Sequence, residues 1–276
     1  MTGRKTTELH GGMNDMEILN IFKSETKKML IIQKRYFLNF LVDMLVYYFV
    51  FMGLYIFIKS NMNIMSPEEI NRTVTTQLVG YICWFFFSFT ISFMNNGIYR
   101  ELLEGTFEQV CINHHSIMEI YVIRLIIYSI RNMVLVLLLT LLLMISTNIR
   151  LDIRIDTIMI FMISLLGIAG FSFMIGGATL IYKNVGQLSF IISILFLGTS
   201  IVDLSVLPSK IQRIIYSLPF TKSVSLLKNI EGTNYNVVGQ DILFLFINSI
   251  AYLILGIVIF KLSFKKAAKE GSFSRF

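Results

Sequence analysis

NNGIYRELLEGTFEQVCINHHSIMEIYVIR, residues Asn95–Arg124, is a polar island between two apolar runs that are each long enough to cross a membrane. It carries Arg100, Glu101, Glu104, Glu108, Glu119 and Arg124, charges too costly to leave in hydrocarbon. The island therefore reads as a handle on one face of a membrane protein, and the rest of the chain is placed by working outward from it.

Composition supports that frame. Of 276 residues, 55% are hydrophobic and 15% charged, with a mean hydropathy of +0.71, against about 45–50% and about 25% in soluble domains. A soluble core of this size has no room for so many Phe, Ile and Leu. An apolar helix of about 20 residues, by contrast, crosses the ~30 Å hydrocarbon layer with its backbone groups paired internally. The expectation is an all-α integral membrane protein. The net charge of +7 is assigned to basic flanks of cytoplasmic loops, and no nucleic-acid partner is expected. Two cysteines, Cys83 and Cys111, make no disulfide framework.

Six spans are read between charge and turn residues: Phe37–Ile58, Val74–Met94, Ile126–Ile145, Thr157–Leu180, Gly186–Val202 and Ile242–Phe260. Together with their connections they form a single transmembrane domain over 36–262, followed by a basic cytoplasmic tail over 263–276. Ahead of it, residues 16–35 alternate Ile18, Ile21, Phe22, Leu30 and Ile31 with Lys23, Lys27, Lys28 and Lys34, the pattern of an amphipathic interfacial helix. Residues 1–15 have no apolar periodicity and are expected to be a disordered leader, with no cleavable signal peptide. With both termini inside, Lys and Arg number seven before the first span, two in 95–125, Lys183, and five from Lys261 on, fifteen against eight in the outer segments. That bias puts both ends, and the polar island, in the cytoplasm.

Outside, Ser66-Pro67-Glu68-Glu69 has the form of a capped helix start. Pro208 and Pro219 each precede an apolar-polar segment, which predicts two short external or re-entrant helices between spans five and six.

The residues then carry a resemblance. The Glu101-x-x-Glu104-Gly105-Thr106-x-Glu108-Gln109 element after the second span, GGATLIYKNVGQLSFIISILFLG at 176–198 and LPSKIQRIIYSLPFT at 207–221 lie in a six-span chain with an amphipathic leader. Together they resemble the type-2 ABC exporter permease family from about Lys23 on. One departure is Asn113-His114-His115, where that family often has a proline.

The resemblance implies a half-transporter that pairs with a second permease chain, identical or homologous, in a cell membrane, the bacterial plasma membrane being expected. A separate nucleotide-binding subunit would bind ATP and Mg and dock on the cytoplasmic loop 98–115, whose coupling helix maps to Tyr99–Val110. Its residues are Arg100, Glu101, Glu104, Gly105, Thr106, Phe107, Glu108 and Gln109, and the three glutamates share a face if that helix is unbroken. The chain has no Gly-x4-Gly-Lys-Ser/Thr phosphate loop, so it is not expected to be an ATPase itself, nor to carry a cofactor. Cys111, His114 and His115 lack zinc-finger spacing, and no metal or catalytic residue is assigned.

Polar stripes run along the spans. Gln77, Tyr81, Trp84, Ser88 and Ser92 share a face of span two, Ser189, Ser193, Ser200 and Asp203 a face of span five, and Met44, Tyr48, Phe51 and Tyr55 a face of span one. Such stripes serve an aqueous path or glue helices together. The resemblance implies that Tyr48, Phe51, Tyr55, Trp84, Ser88, Ser193, Phe196 and Ser200 line a substrate path for amphipathic or hydrophobic cargo, such as a drug, lipid or peptide. Polysaccharide or lipid-linked glycan is the alternative cargo, and a secondary transporter or channel using Asp43, Arg124 and Arg131 is the alternative mechanism. Gly167, Gly170, Gly176 and Gly177 lighten span four and point to close helix packing.

Overall fold

The structure is a computed structural model describing residues 15–61, 66–112, 117–183, 185–218, 220–233 and 235–270. Among these residues it is all-α, with ten helices, one short 3-10 turn at Leu204–Val206, and no strand. Five helices are long and apolar enough to cross a membrane: α2 (Phe37–Asn61), α3 (Pro67–Leu103), α5 (Ile117–Thr147), α6 (Ile155–Tyr182) and α10 (Gly239–Lys269). The segment expected to be the fifth span forms α7 (Gly186–Ile201), which at 16 residues falls short of that length.

Helix α3 is the centre of the molecule. Its 37 residues reach about 56 Å at 1.5 Å per residue, well beyond a ~30 Å hydrocarbon layer, so it projects past any membrane. The projecting ends are where its charges lie: Glu68, Glu69 and Arg72 at one, Arg100 and Glu101 at the other. A capping box starts it, the Ser66 hydroxyl accepting from the Glu69 amide at 3.3 Å and the Glu69 carboxylate accepting from the Ser66 amide at 3.0 Å. Around its middle, α2, α5, α6, α7 and the short helix α9 (Thr221–Thr233) all pack against it. Phe85, Phe86, Phe87, Ile91 and Met94 are fully buried there.

The most extensive helix pair is α6 with α10. Their backbones meet at Gly170 and Gly256, where a Cβ on either residue would run into the other helix's backbone, at the Tyr252 and Gly170 carbonyls. Small residues let apolar helices approach this closely, as the glycines of this span suggest in sequence. Gly176 and Gly177 face Phe260 from the same side of α6.

The apolar faces are largely unburied. In the most apolar window of α2 only 11% of residues are buried, and in that of α10 17%, against 67% in α3. Leu45, Phe49, Ile56, Ile254 and Leu255 lie exposed on the outside. An apolar exterior around a packed interior is what a lipid surrounding requires, and the chain has the build of a multi-pass membrane protein.

The amphipathic segment forms α1 (Asp15–Arg35), which lies against α5 and α2. Backbone hydrogen bonds run through Tyr36 on both sides, so α1 passes into α2 almost without a break. Pro208 precedes α8 (Ser209–Tyr216), and α9 follows it, buried through Val224, Leu227 and Ile230.

One expectation is corrected. The coupling segment Tyr99–Val110 is not a continuous helix: α3 ends at Leu103, Gly105 takes a φ of +66°, and a separate helix α4 spans Phe107–Ile112. The expected disordered leader (all but Asp15), Asn113-His114-His115, Pro219 and the end of the tail lie outside the described residues.

Candidate functional site

The polar island folds into a helix-turn-helix whose turn is fixed by backbone chemistry. The Thr106 amide donates to the Glu101 carbonyl at 3.0 Å and the Gly105 amide to the Leu102 carbonyl at 3.3 Å. This is the Schellman closure of a helix C-terminus, and it places its third residue from the cap, Glu101, inside the helix and Gly105 in the left-handed region. Phe107, the first residue of α4, is 1% exposed and packs among Leu102, Tyr121 and Leu125. With Phe107 as anchor, Glu104, Glu108 and Gln109 point outward and are exposed. Arg100 and Glu104 make only a 3.9 Å pair, both side chains more than half exposed, a contact of little energetic weight. Next to this edge, the Cys111 thiol is pushed up to about 11, first by burial and then by the Glu108 and Glu101 carboxylates.

Glu101 does not share the outward face. Arg124 donates through Nη1 to Glu101 Oε1 at 2.7 Å and through Nε to Glu25 Oε1 at 2.9 Å. The Tyr121 hydroxyl donates to Glu101 Oε2 at 2.6 Å, and the guanidinium stands 5.3 Å over the Tyr121 ring. All three charged side chains are less than one-fifth exposed. One arginine thus ties together α1, the base of the α3–α4 turn and α5. Two turns along α5, Arg131 repeats the tie at lower charge, donating to Gln33 Oε1 at 3.0 Å. Asp43, Arg124 and Arg131 all face a cavity of about 300 Å³ between α1, α2, α3 and α5.

The stripes meet inside the chain. Trp84 Nε1 donates to the Ser193 carbonyl at 2.7 Å, and the Ser88 and Ser193 hydroxyls are in direct hydrogen-bond contact. Ser200, fully buried, donates to the Phe196 carbonyl at 2.7 Å, and Gly80 opposite it leaves no room for a Cβ against the Ser200 carbonyl. Phe196 packs on Phe87 and Phe220 with ring centroids at 4.2 and 5.6 Å. Five expected path residues, Trp84, Ser88, Ser193, Phe196 and Ser200, therefore form the α3–α7 packing seam. Phe51 joins its edge, fully buried against Tyr81 at 5.2 Å. Tyr48 and Tyr55 lie apart from the seam. The Tyr48 hydroxyl donates to Ser146 of α5 at 3.0 Å, and Tyr55 accepts from Lys59 at 3.4 Å.

Sequence reading missed Tyr121 and Glu25 as partners of Arg124, although an arginine at the start of an apolar helix signals that partners exist. It also missed Lys228. That side chain crosses from α9 to donate to the Ser200 and Ile201 carbonyls at 2.9 and 3.3 Å, capping α7. Burial lowers its pKa, with the Asp203 carboxylate opposing the shift.

No family model and no curated protein matches this chain.

Proposed function

We propose that this chain is the membrane-spanning permease subunit of an ATP-driven exporter, and that the α3–α4 hairpin is the surface on which a separate ATP-hydrolysing subunit docks. The observation that carries this reading is the build of the hairpin. It is a six-residue helix pinned by one buried aromatic, with a fixed Schellman turn, projecting past the apolar length of α3, and the hairpin presents Glu104, Glu108 and Gln109 outward. The sequence element that resembles the type-2 ABC exporter permeases lies on it. A force on α4 has a short, stiff route into the bundle, through Phe107 to α3 and α5 and through Glu101 and Arg124 to α1.

In this reading α7 crosses as the fifth of six spans and both termini are cytoplasmic. A second permease chain, identical or homologous, meets the apolar outside of the first. The half-buried Tyr48 and Tyr55 of α2 stay available to a path shared with that chain, and the cargo is amphipathic or hydrophobic.

The test is charge reversal at Glu104 and Glu108 in tagged full-length chain. Glu101 is left intact, because reversing it strands Arg124 and changes the fold rather than the docking edge. The expected result is loss of a co-purifying nucleotide-binding subunit with unchanged helicity and melting. Undiminished co-purification from the doubly reversed chain overturns the proposal.

A further inference from the structure

At the end of the bundle opposite α4, the first turns of α3, the last turn of α7 and α9 enclose a cavity of about 500 Å³, within the range of small-molecule sites. Its wall is unlike the rest of the molecule. Thr73, Thr76 and Gln77 face it from α3, Thr199 from α7, and Ser225 and Asn229 from α9. Tyr216 lies in the same wall.

The charges there are balanced in sign. Glu69 closes the α3 capping box and Lys228 caps α7, while Arg72 and Asp203 supply one more charge of each sign. A net-charged ligand finds no surplus of opposite charge. The uncharged groups have capacity left. Thr76 donates its hydroxyl proton to the Thr73 carbonyl at 2.8 Å and Thr199 donates to the Phe196 carbonyl at 3.0 Å, so both face outward as acceptors. Gln77 spends its amide nitrogen on the Ile201 carbonyl at 2.9 Å, and its Oε1 is buried without a hydrogen-bond partner.

We infer that this cavity binds a neutral polyhydroxylated small molecule, a saccharide unit or polyol whose hydroxyls donate to Thr76 and Thr199 while Asn229 supplies both donor and acceptor. Tyr216, with Lys222 Nζ 5.7 Å over its ring, stands in the same wall. The site is a separate feature from the α3–α4 hairpin and stands without an ATPase partner.

Saturation-transfer NMR on the full chain in lipid nanodiscs tests it, with trehalose as the polyol, glycine betaine as the zwitterion and citrate as the anion. Trehalose is expected to receive saturation and the other two not. Thr76→Val, which keeps the side chain's shape and removes its acceptor, is expected to weaken trehalose about tenfold, and Ser225→Trp, which fills the cavity, to abolish it. Absence of transfer to trehalose, stronger transfer to betaine or citrate, or full transfer in a normally helical Ser225→Trp chain overturns the inference. If Ser225→Trp does not fold, the ranking of the three probes on the unmodified chain decides.

Discussion

Arg124 is the residue on which the polar end of the molecule turns. Two carboxylates and a tyrosine ring surround it, and removing it leaves Glu25 and Glu101 facing each other's charge with little solvent. Arg124→Ala is expected to destabilise the chain by about 3 kcal/mol, read as a lower melting point in detergent, and to loosen α1, read as faster amide exchange over residues 20–35. Gly105 is the complementary case, since its demand is conformational: nothing lies within 4 Å of where its Cβ would be, yet its φ is +66°. Gly105→Ala is expected to cost about 1 kcal/mol, checked by the same melt. Cys111 gives a chemical readout of the same edge. With its thiol held at about 11 by burial and neighbouring carboxylates, little thiolate exists near neutrality. Alkylation at pH 8 is expected to run on the order of a hundredfold slower than for an exposed thiol, rising tenfold per pH unit until the thiol titrates. A pH-independent rate from pH 8 to 10 would contradict this assignment.

Between elements, the seams are set by glycines and hydroxyls. α6 and α10 meet at Gly170 and Gly256, so Gly170→Leu forces the helices apart. Its expected effect is a loss of 2 kcal/mol or more, about the upper range for overpacked sites, seen as a drop in the fraction of chain that stays monodisperse in detergent. In the α3–α7 seam the Ser88 and Ser193 hydroxyls satisfy each other. Ser88→Ala and Ser193→Ala should each cost about 1 kcal/mol, and the double replacement less than their sum, because the orphaned hydroxyl is then gone. Additive losses in that cycle would show that the two hydroxyls are not coupled. The polar stripes were legible in the sequence, but which groups answer them was not. Hydroxyls at helical spacing look the same whether they face a water path or another helix, and only the position of α7 against α3 assigns them to a seam.

For the molecule as a whole, α7 decides the topology. Its 16 residues extend about 24 Å, several ångströms short of the ~30 Å layer, so crossing requires local bilayer thinning or help from flanking apolar residues such as Val202 and Leu204. If α7 crosses, the two termini lie on one side. A reporter fused after Phe276 is expected to be active only in its cytoplasmic form. A cysteine at Glu104 should label only from the cytoplasm, and one at Asn229 only from outside. A reporter active outside would leave α7 as a non-crossing helix and require five spans.

Composition and spacing alone determined that the chain is helical and apolar on its exterior, that Ser66 and Glu69 cap a helix, that Pro208 precedes a short one, and that span four packs closely, because these follow from local chemistry and from what a bilayer excludes. The tertiary structure decided the rest. It broke the expected Tyr99–Val110 helix at a left-handed glycine and turned Glu101 inward to an arginine 23 residues away. It also brought α3, α7 and α9 together around a polar cavity that none of the three encodes by itself. The physical reason is that pairing between distant segments depends on which faces remain unsatisfied after each helix forms, and that balance exists only in three dimensions.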